Sequence, residues 1–221
     1  MLGTLRQKGV PILEVTPSIW ERIVLSGSHQ GIAAVVKQQW TKLSDVTTRS
    51  APIWIAVEQI NSPGNFGSLL RTCEALGVAG VILLGDTMDP HEPSAVRATM
   101  GALFHLKFVR ARHSEFAKWK RTSGYAAFGS SPYAQTDFRV VNYCKPAVIL
   151  LGSEQQGMTK DQEALCDEIV RIPMIGRSDS LNVGVAASIL LYEAFSHRYP
   201  AVRDEGRGMR DERDGKCTLV R

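Results

Sequence analysis

The stretch Ala147-Val-Ile-Leu-Leu151-Gly152-Ser-Glu154-Gln-Gln-Gly157-Met-Thr159 decides the fold class. Its apolar run, Ala147 to Leu151, does not alternate with polar residues, so it reads as a strand buried on both faces. The run gives way to a polar loop with an acid between two glycines. Thr159 is then a good N-cap for the helical pattern Thr159–Cys166. A strand covered on both faces and followed by a helix is the unit of a parallel sheet layered between helices.

The same unit recurs on either side. Ile53–Val57, Gly80–Leu84, Leu106–Val109, Tyr125–Phe128 and Glu168–Ile172 read as further buried strands. Between them, Phe66, Leu69, Leu70, Cys73 and Leu76 follow the i, i+3, i+4, i+7 spacing of an amphipathic helix. Ala95–Leu103 and Glu115–Arg121 read as helices too, and Asn182–His197 as one that is apolar nearly all round. The expected class is α/β with a mostly parallel, Rossmann-like sheet over about residues 47–198.

Residues 1–46 form a separate short α/β appendage. Val10–Val15 and Ile32–Val36 read as strands and Ser18–Leu25 as a helix. So short a piece makes a poor independent core and is expected to lean on the main domain or on a second subunit. Thr41–Ser50 is polar and reads as a linker. Residues 199–221 are dense in charge and glycine and are expected to be disordered. There is no internal repeat.

Composition narrows the function classes without naming one. The 221 residues are 44% hydrophobic and 22% charged, an ordinary globular balance. A net charge of +4 leans mildly toward polyanionic partners. Cys73, Cys144, Cys166 and Cys217 make no C-x-x-C pair and no zinc-spaced set with histidine, so no metal is expected. Cys73 and Cys166 fall in apolar helical patterns and read as small reduced core residues. Met1–Val15 has no long apolar run after its basic residues and is not expected to be a secretory signal. Val183–Phe195 is shorter than the ~20 residues that span a bilayer and carries Glu193. A soluble, cytoplasmic protein without a membrane segment is expected.

Ligands in open parallel sheets bind beyond the carboxyl ends of the strands, and three such ends here are chemically unusual. The first runs Glu58-Gln-Ile-Asn-Ser-Pro-Gly64-Asn65-Phe-Gly67 into a helix carrying Arg71. Gly64 and Gly67 are expected to allow a tight turn and close ligand approach, and Asn65 to cap the helix. An ordinary strand-to-helix turn fits the spacing as well. The G-x-G-x-x-G dinucleotide fingerprint is missing, which argues against a nicotinamide oxidoreductase. The second end is the Gly152–Thr159 loop, whose amides suit an adenine edge or a carboxylate. The third is Arg171-Ile172-Pro-Met174-Ile-Gly176-Arg177-Ser-Asp-Ser180-Leu181-Asn182, where Ser180 or Asn182 starts the next helix. Spacing alone says ligand edge and does not name the ligand.

Taken in this order, the loops resemble the SpoU–TrmH branch of the SPOUT RNA methyltransferases. Its motifs run roughly N-x-G-x-x-x-R, G-x-E-x-x-G and I-P-M-x-G followed by S-L-N-V. They match Asn65, Gly67 and Arg71; Gly152, Glu154 and Gly157; and Ile172, Met174, Gly176 and Ser180-Leu-Asn182-Val183. The resemblance covers about residues 51–198. It implies a C-terminal deep trefoil knot, an exception to the rule of un-knotted chains. It implies that Leu151, Gly152, Gly157, Ile172, Met174 and Leu181 bind S-adenosyl-L-methionine. It implies a homodimer whose pockets take residues from both subunits, and methylation of a ribose 2′-hydroxyl in rRNA or tRNA. Asn65, Arg71, Glu154, Ser180 and Asn182 become the catalytic candidates.

In that family the matching arginine is cast as a general base. A guanidinium stays protonated up to a pKa above ~12, so Arg71 is better suited to stabilising a developing alkoxide and gripping a phosphate. Asn65 is then expected to orient Arg71 or the ribose. Glu154 would hold the first loop or the arginine, and Ser180 and Asn182 would position substrate and the methionine part of the donor. Basic residues of 1–50, with Arg97, Arg110, Arg112 and Arg177, are candidate phosphate contacts. Ile12–Pro17 and Gln30–Val35 resemble the later part of a ribosomal-protein-like RNA-binding domain. Its earlier part lacks a counterpart, through either a shortened variant or a start assigned too far downstream. The rival from another class is a catalytically silent RNA-binding or ribosome-assembly factor on the same fold. The intact set of candidate residues argues against it.

Overall fold

The computed structural model describes residues 2–23, 31–48, 53–85 and 89–200. The chain divides into two compact units, Met1–Lys37 and Gln38–Arg221. The expected charged tail lies almost wholly outside the described residues.

The first unit holds helices α1 (Leu2–Gln7) and α2 (Pro17–Ile23), and neither contains a buried residue. The helix expected at Ser18–Leu25 is α2, with Leu25 outside the described residues. Val10–Val15 and Ile32–Val36 do not form strands. Their apolar, β-branched composition satisfies a strand pattern, but a strand exists only where a neighbour takes its backbone hydrogen bonds.

The second unit begins with a segment that is tied down. Thr41 N donates to Phe108 O at 2.8 Å, Trp119 Nε1 to Val46 O at 3.3 Å, and the Tyr125 hydroxyl to Thr47 O at 2.8 Å. Val46 is buried. Residues 41–48, expected to be a linker, are therefore part of the packed domain. Polar composition concealed backbone acceptors used by distant side chains.

The sheet has seven strands, all parallel: β1 (Ile53–Glu58), β2 (Gly80–Leu84), β3 (Lys107–Ala111), β4 (Ala126–Ser130), β5 (Thr136–Asp137), β6 (Ala147–Leu151) and β7 (Glu168–Arg171), in the order β3-β2-β1-β6-β4-β7-β5. The six expected strands are present, each within a residue or two of its expected ends. Two-residue β5 was not anticipated, because so short a segment has no periodicity to read.

Side-chain alternation explains the continuous apolar runs. Ile53, Ile55 and Val57 of β1 enter one core with Phe66, Leu69, Leu70, Leu190 and Leu191. Trp54 and Ala56 enter the other with Phe116, Tyr125 and Leu150. Helix α3 (Pro63–Ala75) starts because Pro63 needs no amide partner at N1 and Ser62 caps it, accepting from Asn65 N at 3.4 Å. Helix α4 (Pro93–Ala98) stops early. Met100 (φ 51°) and Gly101 (φ 96°) are left-handed, so the helix expected over Ala95–Leu103 breaks into α4 and a 3₁₀ turn at Ala102–His105. Helices α5 (His113–Ser123), α6 (Lys160–Glu163) and α7 (Val183–Arg198) complete the layers. Cys73 is a buried free thiol and Cys166 a partly buried one. No described helix is long and apolar enough to cross a membrane.

Candidate functional site

Strands β1, β4, β6 and β7 all end on the same edge of the sheet. A cleft of about 410 Å³ opens there, within the size range of small-molecule sites. Leu151, Gly152, Gly157, Ile172, Met174 and Leu181, singled out from sequence as donor contacts, all line it, as do Glu154 and Ser180.

The floor of the cleft is a tight hairpin. Ser153 N donates to Gly157 O at 2.9 Å and Gly157 N to Ser153 O at 3.0 Å, while Gln156 N donates to Ser153 Oγ at 3.0 Å. The two glycines serve different needs. Gly157 sits at φ +70°, the left-handed region that a Cβ disfavours. A Cβ on Gly152 would lie 2.1 Å from both the carbonyl carbon and oxygen of Gly157, so the hairpin closes only over a bare α-carbon. Thr159 caps α6 in a capping box with Gln162, as its position at the end of the loop implied.

The three loops meet in one hydrogen-bonded chain. Asn182 caps α7, its Oδ1 accepting from Gly184 N at 2.9 Å and Val185 N at 3.3 Å. Its Nδ2 must then donate, and does so to Asn65 Oδ1 at 2.9 Å. Asn65 Nδ2 is left to donate to Glu154 Oε1, at 2.5 Å. Helix-amide polarity thus fixes both side-chain amides in turn. Residues 89 and 117 positions apart are joined through Asn65.

Two expectations for the first loop change. Asn65 is not the helix cap; Ser62 is, because it precedes Pro63, and this frees the Asn65 amide for the other two loops. Gly67 does not open space for a ligand. A Cβ there would lie 2.5 Å from Ala98 backbone and side-chain atoms, so Gly67 permits close packing of α3 on α4. Of the two roles open to Glu154, the observed contact is with the first loop. Arg71 lies on α3 beyond Asn65, is exposed, and makes no hydrogen bond or ion pair among the described residues. The structure does not bring it to the Asn65–Glu154–Asn182 chain.

A fourth loop also reaches the cleft. Ser130 at the end of β4 and Ser131, Pro132 and Tyr133 after it line it, and Tyr133 is 85% exposed. The rule about strand carboxyl ends would have found this loop had it been applied to every strand. Outside the cleft lining, Glu58 at the end of β1 accepts from Gln162 Nε2 of α6 and lies 2.9 Å from His113 Nε2 of α5. No cluster of three or more His, Cys, Asp or Glu among the described residues could hold a metal. The cleft therefore offers apolar walls, a backbone hairpin and one anchored carboxylate, the make-up of a site for an amphipathic small molecule.

Comparison with known proteins points the same way. The model of the SpoU rRNA Methylase family matches residues 52–192. The chain is 33% identical over 173 residues to the 23S rRNA (uridine(2479)-2′-O)-methyltransferase of Streptomyces viridochromogenes, covering 76% of this chain and 60% of that one. The AdoMet-bound rRNA methyltransferase from Sinorhizobium meliloti superposes with a TM-score of 0.70 at 36% identity, covering 73% of this chain and 62% of the other. The A. aeolicus TrmH/SpoU tRNA modifying enzyme superposes with a TM-score of 0.60 at 25% identity, over 69% and 78% of the two chains. The chain thus spans about three fifths of the length of the first two.

Proposed function

The chain belongs to the SpoU rRNA Methylase family, and from that premise we propose that it transfers a methyl group from S-adenosyl-L-methionine to a ribose 2′-hydroxyl of rRNA or tRNA. The observation that carries this is the tying of three loops through Asn65 beside a cleft lined by all six residues expected to hold the donor. The cleft fits the donor by its own geometry. Leu151 and Ile172 give apolar walls for an adenosine, and Gly152 lets the hairpin that lines the cavity close on itself.

The donor supplies an electrophilic methyl on a sulfonium, so the protein's work is alignment and care of the hydroxyl proton. Leu151, Gly152, Gly157, Ile172, Met174 and Leu181 bind and orient the donor. Glu154 holds Asn65, and Asn182 holds it from the other side, so Asn65 presents a fixed amide edge toward the ribose. Ser180, on the cleft wall, positions substrate or the methionine part of the donor. Arg71 grips the phosphate beside the target ribose and stabilises the developing alkoxide; it does not serve as base, and the hydroxyl proton passes to solvent water.

Arg71 faces solvent without a partner among the described residues, which supports a pocket completed by a second copy of the chain. Val185 (48% exposed) and Tyr192 (62% exposed) on α7 offer apolar surface for such a homodimer. After β7 the chain returns to pack α7 on α3 and β6, which supports the trefoil knot. Residues 1–46 are assigned to RNA binding, and the protein to the cytoplasm. Transfer of labelled methyl from donor to total RNA, with 2′-O-methyl sites mapped in the presence and absence of the gene, tests the reading. Binding of donor and RNA without transfer would instead identify a silent assembly factor.

A further inference from the structure

Of the described polar side chains, Gln162 is one of two in the core; it is 1% exposed, and Thr99 is the other. A buried amide must find its hydrogen-bond partners within the protein, and Gln162 finds them in two places. Its Oε1 accepts from Thr159 N at 2.8 Å, and its Nε2 donates to Glu58 Oε2. The other carboxylate oxygen, Oε1, lies 2.9 Å from His113 Nε2, which acts as donor to it. Glu58, 14% exposed in its side chain, is the last residue of β1, and the backbone turns away at once through left-handed Gln59 (φ 47°). The amide polarity is fixed at both ends. Thr159 N can only donate, so Oε1 must face it, and Nε2 must face Glu58.

The consequence concerns the hairpin. Thr159 follows directly on Gly157 and Met158, which line the cleft. Strand β6 anchors the N-terminal side of that loop through its sheet bonds. Its C-terminal side is anchored by the Thr159–Gln162–Glu58 chain onto the neighbouring strand, β1. We propose that Glu58 is a positioning residue for donor binding, acting through Gln162 to hold the Gly152–Thr159 loop at the spacing the cleft requires. This rests on the donor reading above and adds to it a residue outside all three family motifs.

Exchanging the two side chains tests it. In Glu58→Gln the single amide oxygen can accept from only one of its two neighbours, so the new NH2 is turned on either Gln162 Nε2 or His113 Nε2, and in Gln162→Glu two carboxylates face each other. The double exchange combines the two substitutions. The amide now at position 58 donates to the carboxylate now at position 162, whose other oxygen accepts from Thr159 N. The amide oxygen at position 58 still accepts from His113. Every bond is rebuilt, with the polarity between positions 58 and 162 reversed. Amide hydrogen exchange over residues 152–159 is followed in the protein alone, and S-adenosylmethionine affinity by calorimetry, with kcat measured at saturating donor. Each single variant is expected to speed exchange in the loop and weaken donor binding by about tenfold, the loss of one charge-assisted hydrogen bond, with kcat at saturation little changed. The double exchange is expected to restore both. Wild-type exchange and affinity in the single variants would overturn the proposal. So would a double exchange that restores the melting temperature but neither loop protection nor affinity. If the wild-type protein binds no S-adenosylmethionine, the proposed function fails and the donor role of Glu58 fails with it, while the exchange arm still decides whether the strut holds the loop.

Discussion

Replacing Gly152 by alanine isolates what the hairpin contributes to donor binding. The new Cβ would fall 2.1 Å from the Gly157 carbonyl carbon and oxygen and 2.3 Å from Met158 N. All three are backbone atoms, so no rotamer change relieves the overlap, and the loop must move by about an ångström to reach ordinary contact distance. That movement breaks the paired Ser153–Gly157 bonds of 2.9 and 3.0 Å. Each is worth about 1 kcal/mol net, so the fold should lose about 2 kcal/mol. For a domain of this size that lowers Tm by about 4–8 °C. Donor affinity should fall further, by at least about tenfold, because the displaced atoms line the cleft itself. Gly157→Ala is the control. Its Cβ overlaps no protein atom, with nothing within 4 Å, but is forced to φ +70°, which costs about 1–2 kcal/mol of backbone strain. Calorimetric titration with S-adenosylmethionine and a melting curve on each variant decide the matter. If Gly152→Ala binds donor like the wild type, the steric account of the hairpin is wrong.

Three further outcomes follow from the geometry. Asn65→Ala removes the side chain that joins Glu154 to Asn182 but leaves the Ser62 cap; methyl transfer should fall by about a hundredfold with Tm within a few degrees of wild type, and a collapsed melting transition would show that Asn65 is structural first. Arg71→Ala, which breaks no hydrogen bond or ion pair among the described residues, should abolish methyl transfer to RNA while donor affinity stays unchanged; normal turnover would exclude both base and alkoxide-clamp roles. Burial, helped by neighbouring Asp167, pushes the Cys166 thiol up to about 12, and burial pushes Cys73 higher still; native protein treated with iodoacetamide at pH 8 should leave both unmodified by peptide mass spectrometry. These raised folded values mean that the thiols stay protonated in the fold while unfolded thiols ionise from about 9, so stability should decline by about 1 kcal/mol per pH unit for each thiol as pH rises above 9, and a melting temperature that is flat or rising there would contradict it.

The sheet was legible because its inner strands are buried on both faces. Ala147–Leu151 needs no partner to declare itself, and Ile53–Val57 and Gly80–Leu84 share its signature. The appendage misled for the complementary reason: Val10–Val15 has strand composition without a neighbour to pair with. The break in α4 was hidden because Met100 at φ 51° is a residue that ordinarily continues a helix. At the site, the loop positions were readable from glycine and strand ends, but the partners were not. Nothing local in Asn65 says that Ser62 will cap the helix and release its amide to residues 89 and 117 positions away. The strut from Glu58 to Gln162 was equally invisible, since a buried glutamine inside a short polar helix looks like a surface residue until its contacts are known.

The central place of β1 has a consequence for how the protein is made. One edge of β1 pairs with β2, which follows it closely in the chain. The other edge pairs with β6, which leaves the ribosome about 90 residues later, or about 5–20 s at ordinary rates of translation. Throughout that interval a parallel strand of Ile, Trp, Ile, Ala and Val presents an unpaired edge, the kind of template on which nascent chains aggregate. Asn65 waits longer still for Asn182. The ligand cleft is thus among the last features to exist during synthesis, and a newly started chain holds an open sheet edge well before it has any site to be stabilised by a ligand.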